Sequence, residues 1–285
     1  MYRLDNNFAQ GHFTMTVVGC GGTGAFVAEE LCRLLPPRAD LVLIDHDRVE
    51  ERNLTRQNFT REDLGQFKSE ALAGRLTRKY RLPIAYSTLA LGMVEIRRPG
   101  LIIGCVDNGL ARRQIAERVK EGSLAWVGGY SRSLPRELQS GPRLVTSLWW
   151  VDSGNGENYG QIIIGNADKA IFDKDICYGL PLPTLQRPEL LREVPPQRDC
   201  ADIPEQGPTI NQIMAALVVE VVRRLIEGTC PWVQLYLDLE VGTLVSVLAT
   251  SEVTRAKKWK TMERRQSSSA TKAPVPPQPT TVIVK

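Results

Sequence analysis

Residues 15–24, MTVVGCGGTG, set a short apolar run directly against four glycines. Met15 to Val18 reads as a buried strand, the glycines as a tight turn, and Gly22 to Leu35 as a helix stopped by Pro36 and Pro37. Gly19, Gly21, Gly22 and Gly24 fit the GxGxxG spacing between a strand and a helix. Bare backbone N–H groups at a helix N-terminus let an anionic phosphate come close. A second strand, Leu41 to Ile44, ends on Asp45, 21 residues past Gly24, where an acid can hold ribose hydroxyls. These two features serve dinucleotide and ATP sites alike. An NAD-dependent oxidoreductase would explain both.

Working outward, apolar runs continue to alternate with amphipathic stretches, the grammar of parallel strands joined by crossover helices. Gln66 to Tyr80 predicts a helix with apolar residues at 67, 71, 72 and 76, and Pro83 to Thr88 and Leu101 to Val106 predict strands. A helix over Gly109 to Glu121 and a further strand at Leu124 to Val127 complete this half. After Pro135 the pattern changes. Leu144 to Val151 and Gln161 to Ile164 flank a Gly/Asn-rich stretch suited to an antiparallel hairpin, and Val233 to Leu239 and Thr243 to Leu248 predict another. Between the two hairpins lie a proline-rich, irregular excursion over about 165–208 and a strongly apolar helix, Ile210 to Ile226. The expected fold class is α/β: a Rossmann-like, mixed but mostly parallel sheet flanked by helices, with an antiparallel C-terminal extension.

Composition narrows the function classes. The chain has 285 residues, 42% hydrophobic and 24% charged, within the range of one globular domain. Its net charge of +4 is uneven. Eight Lys or Arg against Glu263 make residues 255–285 about +7 and leave the body about −3, so a nucleic-acid groove in the body has no compositional support. The division expected is one domain over 1–254 and a disordered basic Pro/Ser/Thr-rich tail over 255–285. No apolar run nears the roughly 18 residues of a membrane span, and MYRLDNNFAQ lacks a secretory pattern, so a cytoplasmic protein is expected. Six cysteines (20, 32, 105, 177, 200 and 230) form no CxxC pair, which argues against a structural zinc. His12 and His46 make no metal-ligand pair, and Cys32 and Cys105 read as core residues.

The block LVLIDHDRVEERNLTRQNFTREDLGQFK, residues 41–68, separates the nucleotide readings, because a hydride-transfer enzyme has no evident use for it. Asp45 and Asp47, then Asn53, Arg56 and Gln57, then Gly65 and Lys68, follow the glycine loop in order, and Asp107, Asn108 and Arg112 come after a later strand. In these residues the chain resembles the ThiF, MoeB and ubiquitin-activating-enzyme superfamily, over roughly residues 15–130. The resemblance implies ATP-dependent adenylation of a carboxylate, commonly the C-terminal glycine of a small ubiquitin-like or sulfur-carrier protein, with release of pyrophosphate. It implies that Arg56 and Lys68 screen the phosphates, that Asp107 holds Mg²⁺, that Asp45 binds the ribose, and that Asn53 and Gln57 orient the loop and phosphates. Bland readings stand beside these: Asp47 as a turn acid, Arg56 as half of an ion pair, Asp107–Asn108 as a helix cap.

Cys200, in RDCADIPEQG, matches the crossover loop where many relatives carry a cysteine that forms a thioester or persulfide with the activated carrier. A lone loop cysteine is also often inert. The resemblance favours a homodimer, although the short stretch before the first strand leaves only Arg3 to reach a neighbouring site. Other acceptors fit the same domain: a peptide, a small carboxylate or a tRNA base. A non-catalytic nucleotide-binding adaptor is the remaining alternative.

Overall fold

The computed structural model describes residues 12–36, 39–94, 96, 100–130, 148–168, 170–173, 176–192 and 208–250, with the side chains of 122–130, 171–178 and 208 left aside. The strands are β1 (Phe13–Val18), β2 (Ala39–Ile44), β3 (Ile84–Ser87), β4 (Gly100–Gly104), β5 (Leu148–Asn155), β6 (Tyr159–Gly165), β7 (Ile171–Asp173), β8 (Ile176–Gly179), β9 (Trp232–Asp238) and β10 (Thr243–Leu248). The helices are α1 (Gly22–Leu34), α2 (Lys68–Tyr80), α3 (Gly109–Tyr130), the single turn α4 (Pro183–Gln186) and α5 (Pro208–Glu227).

Eight strands form one sheet in the order β10-β9-β6-β5-β4-β1-β2-β3. From β3 through β5 every neighbour is parallel. β6, β9 and β10 then add in antiparallel fashion. The fold is therefore Rossmann-like, mostly parallel, with an antiparallel C-terminal part. Strand order reverses between β1 and β4, the switch point outside whose carboxyl ends ligands of open α/β sheets bind.

Side-chain alternation sorts the sheet into two faces. Met15, Val17, Leu41, Leu43, Leu101, Ile103, Trp149 and Val151 turn to one face, where α1 and α5 bring Val27, Leu31, Met214, Val218 and Val221 into one buried cluster. Val18, Ile44, Ile102, Leu148 and Trp150 turn to the other, under Ile115 and Val119 of α3. β1 is buried along its whole length. At about 25 cal/mol per Å² of apolar surface, burial on both faces anchors this strand, and with it the loop that follows.

Two expectations are corrected. Residues 124–127 continue α3 to Tyr130 and are not a strand; the parallel neighbour of β4 is β5. A four-residue apolar run carries no period long enough to separate strand from helix. The described residues of the stretch 165–208 are also more regular than its prolines suggest, holding the β7–β8 hairpin, α4 and a 3-10 turn at Pro188–Leu191. Arg3, Cys200 and the basic tail lie outside the described residues, as does the side chain of Cys177. No described helix is long and apolar enough to cross a membrane.

Candidate nucleotide site

The glycine loop sits between β1 and α1 because three of its four glycines have no room for a side chain. Gly19 has φ +86°, and a Cβ there would lie 2.5 Å from the Cys105 carbonyl oxygen. A Cβ on Gly24 would lie 1.8 Å from the Gly19 carbonyl oxygen, and one on Gly22 would lie 2.6 Å from the Asn211 amide. Gly21 differs. Its nearest neighbours are the Gln57 amide atoms at 3.8 and 3.9 Å, so its bare backbone faces open space.

Asp45, just past β2, is buried and braces the scaffold. Its Oδ2 accepts the Cys20 N–H at 2.6 Å and its Oδ1 accepts the Asp47 N–H at 2.8 Å. Burial holds its carboxyl above the usual range, against the pull of those two N–H groups and of Lys68. Asp47 is the exposed member of the pair, 59% exposed at its side chain.

Lys68 is the first residue of α2, and its side chain is only 10% exposed. Its backbone N–H reaches the Asp47 carbonyl at 2.8 Å, and its Nζ donates to Asp47 Oδ2 at 3.0 Å. The turn at Gly65, φ +78°, brings Phe67 into a bridge with Arg48 and delivers Lys68 to this rim. A cation at the positive end of a helix, mostly out of water, works against folding. Its placement is a functional signal that the amphipathic pattern of α2 did not carry.

Arg56 and Gln57 come from the turn between β2 and α2. Asn53 holds that turn: it is buried, and its Oδ1 accepts the Glu50 N–H at 2.9 Å. Among the described residues, Arg56 Nε and Gln57 Oε1 are buried without a hydrogen-bond partner. Such orphans cost about 1–3 kcal/mol each unless a ligand satisfies them.

Asp107 lies on an exposed turn two residues past Cys105, the residue that abuts the glycine loop. The cap of α3 is Asn108, whose Oδ1 accepts the Ala111 N–H at 2.8 Å; among the described residues Asp107 receives only the Asn108 amide, at 3.2 Å on Oδ1. An exposed carboxylate with an oxygen to spare suits Mg²⁺, which is held by one or two carboxylates together with phosphates and water. Asp45, His46 and Asp47 also bring ligand atoms within 4.8 Å of one another. Each Asp45 oxygen already accepts one backbone N–H, and Asp47 holds Lys68.

Sequence reading named Arg112 but missed the rest of the second wall. Arg112 of α3 and Asp152 of β5 form a buried pair, with Arg112 Nε 3.2 and 3.1 Å from the two carboxylate oxygens. Burial pushes the Asp152 carboxyl up to about 6, and the guanidinium pulls the other way. Asn211 of α5, wholly buried, donates to the Arg56 carbonyl at 3.1 Å and accepts from Thr23 Oγ1 at 3.3 Å and Asn155 Nδ2 at 3.0 Å. A polar residue at the start of an otherwise apolar helix was the available signal.

Among solved structures, the E. coli MccB crystal structure with ATP superposes with a TM-score of 0.57 at 16% identity, covering 85% of this chain and 66% of that one. The crystal structure of PaaA gives 0.56 at 16% identity, covering 85% and 65%. Both show the shared fold. In sequence, the ubiquitin-like modifier-activating enzyme 5 of Drosophila willistoni is 34% identical over 130 residues, 40% of this chain and 32% of its own length. That of Aedes aegypti is 33% identical over 130 residues, with the same coverage. The chain thus spans about a third of the length of the curated relatives it matches. The ThiF family model, by contrast, runs over residues 10–272 and takes in both walls of the site, so the chain belongs to the ThiF family.

Proposed function

We propose that this protein catalyses ATP-dependent adenylation of a carboxylate, the C-terminal glycine of a small ubiquitin-like or sulfur-carrier protein. The observation that carries the reading is Lys68, buried beside Asp47, whose N–H is held by the same Asp45 carboxylate that takes the Cys20 N–H of the glycine loop. A nicotinamide site would use the glycines and leave this buried cation idle. Relatives named for activating ubiquitin-like modifiers, and a structural neighbour crystallised with ATP, support the same reading.

A carboxylate oxygen attacks the α-phosphorus, the bond to the β-phosphate bridging oxygen breaks, and its electron pair leaves with pyrophosphate. Two anions must meet for this to happen, so the chain has to supply positive charge in place. Arg56 and Lys68 supply it. Lys68 exchanges its Asp47 contact for phosphate oxygens, and Asp47, freed and exposed, joins Asp45 in taking the ribose hydroxyls, since each Asp45 oxygen accepts only one backbone N–H. Gly21 offers its backbone to the phosphates. Asp107 would hold Mg²⁺, which when bound neutralises charge on the phosphate oxygens. Cys200 then takes the acyl group as a thioester, its sulfur bonding the carbonyl carbon as AMP leaves.

The test is exchange of labelled pyrophosphate into ATP in the presence of a carrier protein ending in Gly-Gly. Arg56→Ala and Lys68→Met should each lower the rate about 10²–10³-fold, as for other preorganised charge-stabilising donors. Undiminished exchange in Lys68→Met, or tight nicotinamide-cofactor binding with no ATP binding, would refute the reading.

A further inference from the structure

Asn211 is a wholly buried polar residue near the site. It is 0% exposed, on a helix whose neighbouring inward residues are Ile210, Met214, Ala215 and Val218. An apolar side chain of similar size there would avoid the cost of drying an amide. Its partners show what the amide does. The carbonyl oxygen faces Thr23 of α1 and Asn155 at the end of β5, and the NH₂ group reaches across 155 residues of sequence to the backbone oxygen of Arg56. Thr23 is also tied to Asn155, Oγ1 to Oδ1 at 3.0 Å. One side chain therefore joins the first turn of α1, the end of β5 and the segment that carries Arg56.

The glycine loop is cut to admit it. A Cβ on Gly22 would lie 2.6 Å from Asn211 Nδ2 and 2.7 Å from its Cγ and Oδ1. Gly22 thus makes room for a protein side chain, whereas Gly21 is the glycine open to a ligand. The Arg56 backbone also receives its own turn's support, since Arg56 N–H and Gln57 N–H both point at the Asn53 carbonyl, at 3.3 and 2.9 Å. That turn holds the local shape. Among the described residues, the Asn211 bond ties its Arg56 end to α5.

We propose that Asn211 is the positioning residue for Arg56: it sets the distance between the Arg56–Gln57 segment and the glycine loop, so that the orphaned Arg56 Nε–H faces a bound triphosphate. The inference rests on the adenylation reading. It predicts that loss of the Asn211 amide is felt as loss of ATP affinity, and that it acts through Arg56.

The experiment measures ATP binding to the full chain by titration calorimetry, alongside thermal melting, for wild type, Asn211→Ala, Asn211→Leu, Arg56→Ala and the Asn211→Ala/Arg56→Ala double variant. Asn211→Leu removes the donor to Arg56 with a side chain of similar size and no polar group to bury, so it stands in if the alanine variant does not fold. Either single variant at Asn211 should weaken ATP binding about 10-fold, the equivalent of one buried hydrogen bond. In the Arg56→Ala background the same change should cost less than about 2-fold, because coupled residues are not additive. A residue that only stabilised the fold would give additive losses, and that result overturns the proposal. Wild type binding ATP with both Asn211 variants binding equally well overturns it too, and leaves adenylation standing. Wild type binding no ATP overturns adenylation first and this inference with it.

Discussion

Two alanines, at Gly24 and Gly21, should separate the glycines that build the loop from the one that receives the nucleotide. At Gly24 the added Cβ would lie 1.8 Å from the Gly19 carbonyl oxygen, 2.9 Å from its carbon and 3.1 Å from Cys105 Cβ. Restoring ordinary contact moves the loop from α1 by roughly 1.5 Å, in a region packed as densely as a crystal. Overpacking of this kind costs about 3 kcal/mol, which in a domain of this size lowers Tm by about 6–12 °C. At Gly21 the nearest atoms, those of the Gln57 amide, are 3.8 and 3.9 Å away. The methyl group fits, so Tm should stay within about 2 °C, since surface changes away from special features cost about 0.5 kcal/mol or less. ATP meets that methyl group instead. A displacement of about 1 Å at a reacting centre costs on the order of 100-fold, so pyrophosphate exchange by Gly21→Ala should fall by about that factor. Scanning fluorimetry and the exchange assay on both variants check the pair. Full exchange by Gly21→Ala, or an unchanged Tm for Gly24→Ala, would refute the division of roles.

The Arg112–Asp152 pair gives a stability prediction. With exposures of 8% and 0% at the two side chains, Asp152→Asn leaves a buried guanidinium without its counter-charge and should cost about 3–5 kcal/mol in urea denaturation. Replacing both residues by apolar ones, as in Arg112→Met with Asp152→Leu, should cost less than that single change; an equal or larger loss would contradict the account. For the thiols, burial raises Cys20 and Cys105 well above the ordinary range and Cys32 to about 11. A raised thiol carries little thiolate at pH 8, so none of the three should take up iodoacetamide until the protein is unfolded. Mass spectrometry of the labelled native protein reads this directly, and modification of Cys20 under native conditions would show that the glycine loop opens.

What could be read from the sequence was local. The β1 run, the glycine turn and the Asp45 to Lys68 block carry their information in spacing, and the helix α2 and the hairpin of β9 and β10 fall where the period and turn residues put them. Partition of roles between near neighbours was not legible. Asp45 and Asp47 are two residues apart and equally acidic on the page. Only the fold shows that Asp45 is buried against the Cys20 and Asp47 N–H groups while Asp47 faces solvent. The same holds within the glycine loop, where Gly22 and Gly21 differ by what arrives from α5. Contacts between remote residues were invisible altogether: Arg112 meets Asp152 at a separation of 40, Thr23 meets Asn155 at 132 and Asn211 at 188. No periodicity records such meetings, and a lone asparagine in an apolar helix reads equally well as a surface residue. The 124–127 run failed for the opposite reason, since its own composition suits either state until the sheet chooses a neighbour.

The order in which the parts of the site leave the ribosome follows from the Asn211 contacts. Every residue of the nucleotide signature, from Gly19 to Asp107, has been synthesised before half the chain exists. The strand end that brings Asn155 and the helix turn that brings Asn211 come much later, and α5 covers the same sheet face as α1. Domains fold as units once their core can close. A nascent chain that already displays the full signature therefore has no finished pocket, and cellular ATP can stabilise the protein only after translation has passed residue 211.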